Sequence, residues 1–153
     1  MTSRLAEALP GTWLLRSRID VTQEGRRLPD PLLGEDPVAL VFFDPSGHFA
    51  AQFMKRDRSA GAPVPSPSAS SAPRNNTQSQ GGYDAYFGTF AIVDERTVET
   101  RLLAALTPGN VGLVLTRRME VAGDTLVIRL ETTAVDGTPV TRTLTWDRAT
   151  RAK

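Results

Sequence analysis

From Thr12 onward, apolar residues alternate with polar ones instead of recurring every third or fourth position, and clusters of turn-forming residues break the alternation at short intervals. A period of two marks strands that turn one face to a core and the other to solvent. The pattern predicts eight strands: Trp13 to Val21, Val38 to Phe43, His48 to Lys55, Tyr86 to Val93, Val98 to Leu106, Leu113 to Val121, Thr125 to Thr132 and Val140 to Arg148. In the first of these, Trp13, Leu15, Ser17, Ile19 and Val21 share the face assigned to the core. Leu14, Arg16, Arg18 and Asp20 share the face assigned to solvent.

The links are mostly short and rich in turn residues, as in Asp44-Pro45-Ser46-Gly47, Asp94-Glu95-Arg96, Ala122-Gly123-Asp124 and Asp136-Gly137-Thr138-Pro139. Short links join antiparallel neighbours, so the expected class is all-β with an up-and-down meander. Eight such strands can close into an antiparallel barrel whose interior holds one small ligand. A two-sheet sandwich is the competing arrangement. The exception is Ser59 to Gly82, which holds six Ser, four Pro and three Gly with Val64 as its only large aliphatic residue. Such a stretch reads as a flexible loop or a lid over the barrel.

The 153 residues suit a single domain, 1–153. With 18 basic and 17 acidic residues the net charge is +1, so no charge surplus draws the chain to nucleic acid, and basic residues do not interleave with aromatics along any strand. No apolar run reaches the roughly 18 residues needed to cross a bilayer. Met1 to Pro10 does not resemble a secretory signal, which makes a cytoplasmic location the expectation. The absence of cysteine removes disulfides, thiolate nucleophiles and Cys-ligated zinc, and a lone His48 leaves little for a histidine metal site or a Ser/His/Asp triad. Phosphate-binding glycine loops, a nucleophile elbow and zinc-ligand spacings are not found, so neither cofactor nor metal is expected.

Leu9-Pro10-Gly11-Thr12-Trp13 places Gly-x-Trp at the entry to the first strand, and the last strand ends Leu144-Thr145-Trp146-Asp147-Arg148. This pairing resembles a lipocalin. Further segments are similar to the bacterial and fungal lipocalin-like domain family: Phe43-Asp44-Pro45-Ser46-Gly47-His48, Ala51-Gln52-Phe53-Met54, Asp57-Arg58, Ala85-Tyr86-Phe87-Gly88-Thr89-Phe90 and Pro108-Gly109-Asn110-Val111-Gly112. The resemblance implies an eight-stranded barrel of calycin type in which Trp13 packs under Arg148 at the closed end, a cation over an indole face. It also brings a departure, because the family often carries histidines where this chain has Thr100 and Arg101.

In a barrel with this alternation, Thr100, Leu102, Ala104 and Leu106 share an inward face, as do Leu126, Ile128 and Leu130. Arg117 falls on the inward face of its strand with Leu113, Leu115, Met119 and Val121, unless the register slips by one and presents Arg118 instead. An inward guanidinium keeps its proton and must meet a carboxylate, a ligand acid or enolate, or water. The candidate ligand contacts are therefore Arg117, Tyr86, Gln52, Thr100 and Leu102, with Trp13 and Arg148 structural. His48 is expected at a barrel rim in solvent, and Asp57 with Arg56 and Arg58 forms either an exposed cluster or a pair closing the mouth.

Three functions fit this reading. One is binding of a small hydrophobic molecule inside the barrel. Another is a cofactor-free isomerase or cyclase of natural-product biosynthesis, which needs positioning and one or two hydrogen-bond donors but no triad. The third is a module with a filled core, packed by Phe42, Phe49, Phe53, Phe87, Phe90 and Met119.

Overall fold

A computed structural model describes residues 4–59 and 75–151. A short helix, α1 (Arg4–Ala8), precedes eight strands: β1 (Gly11–Val21), β2 (Val38–Phe43), β3 (His48–Met54), β4 (Tyr83–Ile92), β5 (Thr97–Ala105), β6 (Val114–Ala122), β7 (Thr125–Thr133) and β8 (Pro139–Arg148). Each pairs antiparallel with its sequence neighbours, and β8 returns to β1, so the sheet is a closed barrel. The alternation read from the sequence locates all eight strands to within about three residues at each end, the usual scatter of strand boundaries. The helix α1 escaped it. Among the described residues no helix is long and apolar enough to cross a membrane.

One end of the barrel is plugged. Leu5 and Leu9 are buried there, and the Trp13 indole Nε1 donates to Leu9 O at 2.9 Å. The Arg148 guanidinium lies 4.2 Å from the Trp13 ring centroid, the arrangement that the resemblance implies. It also donates through Nη2 to Ala8 O (2.8 Å) and through Nη1 to Pro10 O (3.3 Å), taking up carbonyls where the helix ends. Gly11 lies at φ +137°, and a Cβ there would come within 3.0 Å of Arg148 Nη1, so glycine lets the chain turn beneath the arginine.

Two β-bulges change which side chains face inward. In β1 the register passes from Leu15↔Trp146 to Ser17↔Thr145, leaving Arg16 as an extra residue. Beyond it the facing reverses: Arg18 and Asp20 point into the barrel and are buried, and the expected inward set Ser17, Ile19 and Val21 is displaced. In β5 the register passes from Phe87↔Ala104 to Gly88↔Leu102, so Leu103 is extra. Thr100 and Leu102 face inward as read, but Ala104 is half-buried and Leu106 is exposed. Leu126, Ile128 and Leu130 are buried, also as read. Of the residues suited to fill the core, Phe49, Phe53 and Met119 are inside, whereas Phe42 and Phe87 stand on the outer face. Phe90 packs partly buried against the core, and the interior still holds a cavity of about 200 Å³.

Candidate functional site

Within the barrel lies a cavity of about 200 Å³. Its deeper wall is apolar, with Phe49, Phe53, Leu115, Met119, Ile128 and Trp146. Tyr86 lies among these aromatics, edge-on to Phe49 (centroids 6.0 Å apart) and offset-stacked on Phe53 (6.5 Å). Residues 28–33 of the β1–β2 connection and 76–79 of the β3–β4 connection cover the mouth, together with Thr133, Ala134 and Val135.

Toward the mouth the wall becomes charged. Arg142 grips Asp20 with two parallel bonds, Nε to Oδ1 at 2.8 Å and Nη2 to Oδ2 at 2.9 Å, and the two residues are direct cross-strand partners. Arg18 Nη2 meets Asp30 Oδ2 at 2.7 Å. Burial lowers the affinity of Arg18 for its proton, and the like charge of Arg142 adds to that effect. Burial alone would raise the Asp30 carboxyl, but the charge of Arg18 and the Leu32 N–H (2.8 Å to Oδ1) hold it below the ordinary aspartate value. Both pairs are almost fully enclosed, so removing either partner would leave the other's charge without its counter-charge.

Arg117 points inward and is 8% exposed. Its Nη1 donates to Asn75 O (2.8 Å), Asn75 Oδ1 (3.0 Å) and Thr116 O (3.0 Å), and it forms no ion pair among the described residues. Burial pushes its proton affinity down to about 10, which leaves it charged at neutral pH. Asn75 holds it in place by a local feature of the sheet. The β6–β7 ladder stops at Arg118↔Arg129, and the next backbone groups of β6 are taken by a side chain: Asn75 Nδ2 donates to Thr116 O (2.9 Å), and Thr116 N donates to Asn75 Oδ1 (2.8 Å). Asn110, in the 3-10 turn Pro108–Asn110, does the same for Gln78, through Nδ2 to Gln78 O (3.0 Å) and from Gln78 N to Oδ1 (3.1 Å). Two asparagines thus seat residues 75–79 over the cavity.

Asp84 is 3% exposed and sits on the inner face of β4, two residues before Tyr86. Its Oδ2 accepts a hydrogen bond from the Thr77 hydroxyl, while Oδ1 is buried without a partner. Burial pushes the carboxyl up to about 6, against the Thr77 hydroxyl, the Ala85 amide and the charge of Arg18, which favour ionisation. Folded Asp84 therefore holds its proton more tightly than unfolded Asp84. The stability it contributes is present below the ordinary value of 3.8 and is lost as pH rises through about 6. Asp84→Asn is neutral at every pH and its amide oxygen can still accept from Thr77. Relative to the parent it should gain about 2 to 3 kcal/mol between pH 4 and pH 7.5, measured by urea unfolding at each pH. A constant difference across that range would remove Asp84 as the titrating group. Burial also pushes the Tyr86 phenol up to about 12, so it remains a hydrogen-bond donor at neutral pH.

Of the ligand contacts expected from the sequence, Arg117, Tyr86 and Thr100 line one cavity. Gln52 does not. It is exposed on the outer face of β3, where it accepts a hydrogen bond from the Tyr83 hydroxyl, because its inward neighbours are Ala51 and Phe53. Leu102 is buried in the core but is not part of the cavity wall. His48 is exposed beside the turn, with Nδ1 2.9 Å from Ser46 Oγ, and Asp57 is an exposed residue accepting from Ser59 N at 2.9 Å. The segment read as a loop or lid, Ser59 to Gly82, lies outside the described residues over 60–74.

Arg18, Asp20, Asp30, Asp84 and Arg142 were missed as cavity residues. Arg142 was within reach, since it alternates with Val140, Leu144 and Trp146 on one face of β8. Among the described residues no group of three or more His, Asp or Glu side chains is placed to hold a metal ion.

The family profile described as a lipocalin-like domain matches residues 10–149. No curated protein gives a significant match to the chain.

Proposed function

As the chain belongs to the lipocalin-like domain family, we propose that it binds a small, largely apolar molecule in the interior of its barrel. The observation that carries this reading is the cavity of about 200 Å³ bounded by Phe49, Phe53, Leu115, Met119 and Ile128. An engineered apolar cavity of about 150 Å³ takes up benzene, so this one accommodates a short alkyl chain or a bicyclic molecule. An isomerase or cyclase working in the same cavity by proton abstraction would need a general base open to its substrate. The one unpartnered carboxylate oxygen in the wall, Asp84 Oδ1, is buried beneath it, which favours binding over turnover.

Calorimetry with 1-octanol tests the reading. The alcohol should bind the unaltered chain, and Ala51→Phe, which builds a ring into the cavity from β3, should weaken it about ten-fold or more. Absence of binding, or binding that ignores Ala51→Phe, would overturn the proposal. The second result would move the alcohol to the outer face, where Leu40, Phe42 and Phe87 are exposed.

A further inference from the structure

Three guanidinium groups reach the cavity, and two of them have a carboxylate of their own: Asp30 for Arg18 and Asp20 for Arg142. Arg117 has none. Its Nη1 is committed to neutral oxygens of Asn75 and Thr116. Its Nε and Nη2, the other edge of the fork, meet no acceptor among the described residues. The remaining carboxylate, Asp84, is bonded to Thr77 and feels the charge of Arg18. A guanidinium cannot shed its proton, so an enclosed one without a counter-charge is stable only when something completes it.

What completes it has a shape already displayed in the barrel. The Nε and Nη2 edge of Arg142 holds the two oxygens of Asp20 side by side. The same edge of Arg117 carries no acceptor among the described residues. We propose that Arg117 is a carboxylate receptor and that the ligand is a monocarboxylic acid with an apolar body of about ten non-hydrogen atoms. The inference rests on the cavity being the ligand site and adds the chemistry of the ligand's polar end. Tyr86 supplies a neutral donor on the same cavity wall, while Phe49, Phe53 and Ile128 receive the hydrocarbon. A phosphate monoester is disfavoured, because its second charge would need another cation and the other two are held by Asp20 and Asp30.

The test compares octanoate with 1-octanol by calorimetry at about pH 7.5, where the acid is ionised. On the full chain octanoate should bind about ten-fold more tightly than the alcohol. Arg117→Met should weaken octanoate about thirty-fold or more while changing octanol by less than about three-fold. Arg117→Lys, which keeps the charge and loses the fork, should fall between. Octanoate binding no tighter than octanol in the unaltered chain overturns the proposal and leaves the apolar-ligand reading standing. Equal weakening of both ligands by Arg117→Met also overturns it, since Arg117 would then only shape the wall. Failure of both ligands to bind the unaltered chain overturns the two together. The comparison on the unaltered chain and the Arg117→Lys result decide the matter even if Arg117→Met does not fold.

Discussion

Gly88→Ala is expected to destabilise the barrel by about 4 kcal/mol or more, or to prevent folding outright. A Cβ at Gly88 would stand 1.8 Å from Arg101 O, 2.8 Å from Arg101 C and 3.0 Å from Leu103 N. All three are backbone atoms of β5 at the bulge, where Leu103 is the extra residue. No rotamer change relieves such a contact. The ladder must open, and hydrogen bonds on both sides of it are lost with the bulge. Gly109→Ala is the control, because a Cβ there meets nothing within 4 Å, and it should stay within about 0.5 kcal/mol of the parent. Urea unfolding of the two variants side by side checks the expectation. A Gly88→Ala protein as stable as the control would mean that the close approach at the bulge is not a feature of the native barrel.

The second large effect is expected at the mouth-side ion pair. Asp20→Ala should cost about 3 to 5 kcal/mol, because it leaves Arg142 enclosed, charged and close enough to Arg18 to be repelled by it. The informative companion is the double variant Asp20→Leu with Arg142→Met, which removes both charges and should recover most of the loss. A double-mutant cycle by urea unfolding separates the two contributions. If Asp20→Ala costs under about 1 kcal/mol, water or another group must already compensate Arg142, and the pair would not hold the fold together.

Much of this architecture was legible because a strand writes its burial into every second residue. Leu126, Ile128 and Leu130 are where the alternation put them, while on β2 the buried ring is Phe43 and not the expected Phe42, and Trp13 under Arg148 followed from a resemblance at the two ends of the barrel. The inward arginine of β6 was legible for the same reason. What alternation cannot announce is a change of phase. Nothing in Leu15-Arg16-Ser17-Arg18 distinguishes a straight strand from a bulged one, since the extra residue is defined only against the partner strand β8, far along the chain. Reading β1 without its bulge placed Ile19 and Val21 inside and lost Arg18 and Asp20, two of the six charged residues that line the cavity. Gln52 was misplaced by a different route, because it entered as a neutral hydrogen-bonding side chain rather than through its own position between Ala51 and Phe53. Asn75 and Asn110 lay in segments with no period to read, and their roles come from backbone groups they happen to meet.

The bulge at Arg16 also bears on how the chain avoids closing wrongly. In the observed register Asp20 lies across from Arg142; without the extra residue Ile19 would take that place and Asp20 would turn outward. A barrel closed one step out of phase would satisfy its backbone almost equally well and bury a similar amount of hydrocarbon, so neither hydrogen bonding nor hydrophobicity would reject it. It would, however, trap a guanidinium against an isoleucine. The two partners are 122 positions apart in sequence, and their attraction works as a parity check on the seam between β1 and β8, testing whether the number of residues on one side matches the number on the other.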